Sequence, residues 1–338
     1  MTDRFHIKLA GGNVAFDCAS DDTLLRGGLR QGLGLAYECN VGACGSCKFD
    51  LVDGEVDDLF PAAPGLKPKE RERGKRLACQ CVPRSDCTIK IRSGEEYVSD
   101  HVPRKMQARL IAKRALTHDI SEFSFATGEA AQFLPGQYAL LRLEGIGQAR
   151  AYSMSNLANA DGTWQFIIRK VPAGIVSNAL FDTLQVGSEL ELDGPYGIAY
   201  LRPQIPRPIV CIAGGSGLAP VLSIIRGTRD AGGLRGIPQL LYGGRGPGDI
   251  PDIAAMLSVS GVEAGIHPVV SMPELAPVAA WSGDVGFVHE FVPKKLGQPL
   301  TAYEYYLAGP PPMIEACVRM LVAEHNVPST QIHFDRFF

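Results

Sequence analysis

The rhythm of hydrophobic and polar positions changes twice along the chain. In residues 5–9 and 14–18 they alternate around Gly11-Gly12-Asn13, the pattern of a short hairpin. Residues 23–31 read as a helix with Asp21 or Asp22 as its cap, and residues 47–51 and 87–92 as strands. Residues 67–76 are heavily charged and read as a solvated helix or loop. From about His101 to Pro203 the β-prone runs 107–116, 122–127, 138–143, 165–170 and 189–192 are separated by Gly, Pro and Asp, the spacing of a small antiparallel barrel. Beyond about Arg207, strands and helices alternate. Residues 209–213 are apolar throughout, a glycine turn follows, and 219–229 read as a helix. Residues 239–242, 266–270 and 305–307 are further strands, and 313–325 a helix. That alternation predicts a parallel, nucleotide-binding sheet. Three domains are therefore expected, at 1–98, 101–203 and 207–338, a division that suits a 338-residue chain.

Composition narrows the function. An apolar content of 46% and a charged content of 20% fit a globular protein. A formal net charge of -3 argues against a nucleic-acid partner, because phosphate backbones require concentrated positive charge. Residues 1–10 lack the basic start and apolar core of a signal peptide, so a cytoplasmic location is expected. Residues 208–225 carry no charge, a length that raises the question of a membrane span. Gly214-Gly215-Ser216-Gly217 and Pro220 interrupt that run, so a strand, a tight turn and a helix start are expected instead, with no membrane association.

The nine cysteines are unevenly placed. Cys39, Cys44, Cys47, Cys79, Cys81 and Cys87 cluster, whereas Cys18, Cys211 and Cys317 stand apart. Without a secretory signal, such a group points to a metal site rather than a disulfide framework. Cys39, Cys44 and Cys47 give C-x4-C-x2-C, with Cys79 after 31 intervening residues, the plant-type [2Fe–2S] spacing. Gly42 and Gly45 would let the loop wrap a cluster with N–H groups facing the sulfurs, and Ser46 adds a donor. A zinc site of Cys44, Cys47, Cys79 and Cys81 is the alternative; it would leave Cys39 idle and pair one C-x2-C with a C-x-C. Spacing alone also leaves open an exchange of Cys81 for Cys79.

Two further constellations suggest nucleotide chemistry. Arg150-Ala151-Tyr152-Ser153 follows the turn Pro135-Gly136-Gln137-Tyr138. A flavin needs an arginine on its pyrophosphate, an aromatic face on its ring and a small hydroxyl near N5; a surface arginine beside a core tyrosine is the bland alternative. Gly174-Ile175-Val176-Ser177 would open a helix whose free N–H groups bind phosphate, and Asp193-Gly194-Pro195-Tyr196-Gly197 completes the order. Gly214, Gly215, Ser216 and Gly217 lie between a strand and a helix, where a diphosphate can approach the backbone, although this is not the G-x-G-x-x-G fingerprint. Arg245 ends the next strand as a phosphate or ribose contact or as a solvated charge, and Gly309 and Pro310 make a sharp turn at the sheet's C-terminal edge.

Together these residues resemble the ferredoxin–NADP+ reductase superfamily with an N-terminal plant-type ferredoxin domain. More closely, the chain is similar to reductase components of bacterial multicomponent toluene and phenol-type monooxygenases. The motifs that carry the resemblance are Tyr37-Glu38-Cys39-Asn40, Leu77-Ala78-Cys79-Gln80-Cys81, Arg150-Ala151-Tyr152-Ser153, Gly214-Gly215-Ser216-Gly217 and the ending Ile332-His333-Phe334-Asp335-Arg336-Phe337-Phe338. The resemblance implies a multidomain α+β and α/β fold: a β-grasp ferredoxin domain, an antiparallel β-barrel FAD domain and a parallel-sheet NAD domain. It implies Cys79 as fourth ligand and Arg150 on the flavin pyrophosphate. Tyr152 would lie on the ring with Ser153 at N5, these two being the catalytic candidates, while Gly174, Val176 and Ser177 would serve the flavin phosphates. Phe337 and Phe338 would cover the flavin or simply dock the tail. One departure is Ala308, where the family often has a cysteine.

The implied activity is an NADH-dependent iron–sulfur flavoprotein reductase using FAD and one [2Fe–2S] cluster. Its partner would be a Rieske-type ferredoxin or the oxygenase component itself, with Glu55, Asp57 and Asp58 as candidate steering charges or a plain solvated loop. Rival readings are the reductase of an aromatic-ring dioxygenase and a non-enzymatic iron–sulfur redox-sensing module. Arg245 leaves NADPH open, and the aromatic substrate belongs to the partner.

Overall fold

Period-two alternation in the first strand, Arg4–Leu9, buries Ile7 and leaves Arg4, His6 and Lys8 exposed. In the computed structural model, which describes residues 2–230, 236–275, 281–297 and 299–338, this strand pairs with Ala15–Ala19 in the expected hairpin. It also pairs in parallel with Cys87–Ile91, which runs antiparallel to Lys48–Asp53. Lys75–Leu77 closes the five-stranded mixed sheet, and Val56–Asp58 pairs separately with Cys81–Pro83. The last part of the charged run is therefore a strand; its first part, Pro68–Glu72, is a short helix with no buried residue.

The helix on this sheet is shorter than the sequence suggests, Leu24–Leu29, and every residue in it is buried. Its cap is Thr23, not Asp21 or Asp22: the Thr23 hydroxyl accepts the Arg26 N–H at 3.4 Å. Asp22 is spent elsewhere. It accepts from Arg26 Nε at 2.9 Å and Arg30 Nε at 2.7 Å, and Arg30 Nη2 donates to Asp193 at 2.7 Å. Tyr196 donates its hydroxyl to Asp193, and the Gly197 N–H donates to the Tyr37 hydroxyl, each at 2.9 Å. Burial would raise the Asp22 pKa, but the Arg30 and Arg26 guanidinium groups outweigh it and hold the carboxyl at about 2. These residues all belong to the first compact unit, Met1–Lys105 with Ala149–Ala151 and Asp193–Ile198. The second unit is Met106–Gln148, Tyr152–Leu192 and Ala199–Phe338.

A six-stranded antiparallel sheet runs in the order Arg150–Ser153, Tyr138–Arg142, Glu189–Tyr196, Arg104–Ala115, Ile120–Ala126, Thr163–Arg169. An antiparallel bridge between Met154 and Phe166 joins its two ends, so the sheet closes as a barrel. Phe123, Phe125, Trp164 and Phe166 fill it, each buried to within 1%. Asp193-Gly194-Pro195-Tyr196, the third member of the flavin-motif order, is the end of a barrel strand.

The remaining sheet is wholly parallel, in the order Asp284–Val285, Gly265–Val270, Gln239–Gly244, Ile209–Gly214, Glu304–Gly309, Ile332–Arg336. Its central strand, Ile209–Gly214, is buried at every position because helices cover both faces. Leu218–Thr228 and Ile253–Ser258 pack on one face, and Val288–Lys295 and Pro311–Arg319 on the other. The C-terminal motif Ile332–Arg336 is an edge strand of this sheet. The last helix opens at Pro311 and widens into a π-helical turn at Met320–Glu324. No helix among the described residues is long and apolar enough to cross a membrane.

Candidate functional site

Four thiols converge at the loop after Tyr37. Cys39, Cys47 and Cys79 are buried and Cys44 is half-buried. The Ala43 and Cys44 N–H groups each donate to Cys39 Sγ at 3.3 Å, and the Ser46 N–H donates to Cys44 Sγ at 3.4 Å. Gln80 Nε2 lies 3.5 Å from Cys79 Sγ. The Cys39 thiol hydrogen-bonds Cys44, which pulls Cys44 down to about 6, while Cys47 hydrogen-bonds Cys79. Loop closure depends on Gly45: its φ is +79°, and a Cβ there would stand 2.3 Å from the Gly65 carbonyl oxygen.

Cys79 is thus the thiol that touches Cys47. Cys81 sits on the strand Cys81–Pro83, where burial, with Asp58 adding, pushes its thiol up to about 12. Of the acidic residues near this loop, Asp57 pairs with Arg84 at 2.5 Å, and Asp58 accepts the Phe60 N–H at 2.9 Å.

On the barrel strand Arg150–Ser153, Arg150 is exposed, Tyr152 is half-buried against the barrel core and Ser153 is buried. The following Met154 N–H donates to the carbonyl of the buried Gln137, so the Pro135-Gly136-Gln137-Tyr138 turn is tied to this strand's end. Gly174 precedes the single turn Ile175–Asn178. The Ser177 hydroxyl donates to the Gly174 carbonyl and accepts the Val171 N–H, each at 3.2 Å, and Val176 is buried.

The parallel sheet carries a deep cleft. Chain order along it proceeds outward in one direction from Ile209–Gly214 and in the other from Glu304–Gly309. The carboxyl ends of these two neighbours are therefore a topological switch point, where open α/β sheets bind ligands. A cavity of 490 Å³ lies there, and Gly214, Gly215, Arg245 and Pro310 line it. Ser216 and Gly217 form the turn into the helix and Gly309 the turn of the facing strand, but these three do not line the cavity. Gly217 is required by packing: a Cβ would stand 2.0 Å from the Ala308 carbonyl oxygen. The Tyr242 hydroxyl donates to the Gly215 carbonyl at 3.0 Å, holding the glycine turn in place. Phe337 donates its N–H to Gly309 and packs on the sheet core, and Ala308 lines a separate, far smaller void.

Sequence reasoning missed part of this cleft. Arg169, from the barrel strand Thr163–Arg169, lines it and pairs with Asp119 at 2.6 Å; Arg245 pairs more loosely with Asp249 at 3.5 Å. Phe287 and His289 stack at its rim with ring centroids 6.1 Å apart. Gly286, between the strand Asp284–Val285 and the helix Val288–Lys295, was the available signal, since it repeats the strand–glycine–helix order of residues 209–228.

Three domain models match consecutive stretches of the chain: a 2Fe-2S iron-sulfur cluster binding domain at 7–84, an oxidoreductase FAD-binding domain at 107–200 and an oxidoreductase NAD-binding domain at 211–319. The chain is 41% identical to ferredoxin–NAD(P)+ reductase CarAd of Metapseudomonas resinovorans, over 99% of this chain and 100% of that one. The chain belongs to the iron–sulfur ferredoxin–NAD(P)+ reductases. It is also 37% identical to the ferredoxin–NAD+ reductase component of the alkene monooxygenase system of Xanthobacter autotrophicus, over 96% of this chain and 98% of that one. A solved structure, the ferredoxin reductase in carbazole 1,9a-dioxygenase, superposes with a TM-score of 0.91 at 39% identity, covering 100% of this chain and 99% of that one. As a member of this family, the chain is an oxidoreductase of FAD, a [2Fe–2S] cluster and a nicotinamide nucleotide.

The residues present fit that chemistry. Sulfurs that accept backbone N–H groups suit an electron-rich cluster, and a glycine-lined cleft with two arginines suits a diphosphate.

Proposed function

We propose that this chain is the NADH-dependent reductase of a multicomponent oxygenase system, passing electrons through FAD and a [2Fe–2S] cluster to a Rieske-type ferredoxin or to the oxygenase. The observation that carries the reading is the meeting of four thiols, three from one loop and the fourth from Cys79, in a chain that also has a glycine-lined cleft. In this reading Cys39, Cys44, Cys47 and Cys79 are the iron ligands. Arg150, Gly174, Val176 and Ser177 hold FAD, with Tyr152 and Ser153 at its ring. Gly214, Gly215, Ser216, Gly217, Arg245, Gly309 and Pro310 serve the nicotinamide nucleotide, and Phe337 closes the site. The cofactor domains are 1–98, 101–203 and 207–338. When bound, FAD supplies the conversion between a two-electron donor and a one-electron acceptor. The chain's own part is positioning: N–H groups neutralise charge on sulfur, and the arginines anchor phosphate. A cytoplasmic location suits nine free thiols.

Anaerobic NADH titration of the holoprotein tests the proposal. Bleaching of both flavin and cluster absorbance, with iron and labile sulfide present, is the expected result. Zinc without iron, or flavin bleaching that leaves the cluster oxidised in the presence of excess NADH, would overturn it. A second reading, a dioxygenase partner instead of the monooxygenase expected from the sequence, is favoured by the likeness to the ferredoxin reductase in carbazole 1,9a-dioxygenase. Comparing electron delivery to one ferredoxin of each system separates the two.

A further inference from the structure

One polar side chain beside the four thiols makes no hydrogen bond to the described residues. Asn40, adjacent to Cys39, is 2% exposed, and neither its Nδ2 nor its Oδ1 has a hydrogen-bond partner among the described residues. Its φ of +55° explains why a bulky or branched residue is absent, since asparagine and glycine tolerate the left-handed region. The turn does not explain the amide, because glycine would serve it without burying polar atoms. An unpartnered buried amide is costly, and native proteins leave few such groups. No described residue supplies that partner, so a group bound beside the thiols is the candidate. Thiolate and inorganic sulfide sulfurs accept hydrogen bonds and donate none, so Nδ2 is the end of the side chain that serves them. The nearby backbone donors of Ala43 and Cys44 already point at Cys39 Sγ, showing that this loop directs its donors toward sulfur.

We propose that Asn40 Nδ2 donates a hydrogen bond to a sulfur of the [2Fe–2S] cluster and thereby raises its reduction potential. The reasoning is electrostatic: a donor stabilises the reduced cluster, which carries one more negative charge, more than the oxidised one. The inference rests on the ligand set proposed above. It adds a residue that tunes the centre without ligating it.

The test uses the full-length holoprotein as wild type, Asn40→Gly and Asn40→Asp, in redox titrations followed by the EPR signal of the reduced cluster. Glycine keeps the left-handed backbone and deletes the amide; aspartate keeps the shape and replaces the donor with an acceptor. The midpoint should become more negative in Asn40→Gly and more negative again in Asn40→Asp, with iron and labile sulfide at wild-type levels. A second measurement needs no variant. Wild-type protein containing asparagine labelled with 15N at the side-chain amide should show an additional 15N coupling in pulsed EPR of the reduced cluster. Unchanged midpoints in both variants would overturn the proposal. So would an absent 15N coupling, including the case in which an exchangeable proton couples alone and a trapped water satisfies the amide. If a variant fails to assemble, the 15N coupling alone decides. Wild-type protein without a diiron EPR signal would instead overturn the ligand set.

Discussion

Replacing Gly217 by alanine tests whether the switch-point cleft binds the nucleotide. The added Cβ would stand 2.0 Å from the Ala308 carbonyl oxygen and 3.0 Å from the Gly309 nitrogen. Both neighbours are backbone, so no side-chain rotation relieves the clash. Either the helix Leu218–Thr228 lifts off or the end of Glu304–Gly309 moves, and the residues flanking these two elements, Gly215 and Pro310, line the cleft. Overpacking of this kind costs about 1–3 kcal/mol. If binding requires the undisplaced arrangement, that cost appears as roughly 5- to 150-fold weaker nucleotide affinity, at about 1.4 kcal/mol per tenfold. The assay is stopped-flow: the flavin bleaching rate is followed against NADH concentration, which separates affinity from the limiting rate. Gly128→Ala is the control, because nothing lies within 4 Å of a Cβ there. The EPR signal of the cluster should be the same in all three proteins. An NADH dissociation constant within twofold of wild type, in a variant of unchanged melting temperature, would refute the assignment of the cleft.

Cys79→Ser should abolish bound iron and labile sulfide whereas Cys81→Ser keeps both, as measured by elemental and sulfide analysis, because Cys79 is the thiol touching Cys47. Asp22 should make the helix Leu24–Leu29 acid-sensitive. Its folded pKa of about 2 lies below the ordinary 3.8, so the stabilisation is complete above about pH 4 and lost as pH falls through 2. It is worth about 2.5 kcal/mol at neutral pH, and Asp22→Asn should flatten the pH dependence of amide exchange in that helix. Phe166→Ala should destabilise the barrel by about 3–5 kcal/mol, seen as flavin release at lower temperature, since Phe166 is fully buried in the barrel core.

The architecture was largely legible because it is written in short-range pattern. Short β-prone runs separated by Gly, Pro and Asp marked the barrel strands, and an unbroken apolar run marked Ile209–Gly214 as a strand covered on both faces. Short or mixed elements escaped notice. Ile253–Ser258 is only six residues long, and Val288–Lys295 contains Pro293, so neither has the periodicity of a longer helix. The Ile332–Arg336 strand went unnoticed because its partner, Glu304–Gly309, is remote in sequence. Asp22 was mistaken for a cap because its charge is committed to Arg30, and through Arg30 to Asp193, a residue 171 positions away.

By itself, then, the sequence determined the order of the domains, most of their longer elements and the loop that gathers three thiols, since all of these depend on residues within one or two turns of chain. Tertiary structure decided which remote groups meet: Cys79 at Cys47, Gly214 beside Gly309 at the switch point, and Arg169 at the nucleotide cleft. It also showed that the Asn40 side chain is buried without a hydrogen-bond partner among the described residues. Such meetings follow from strand order and packing of the whole core, which no local window of sequence contains.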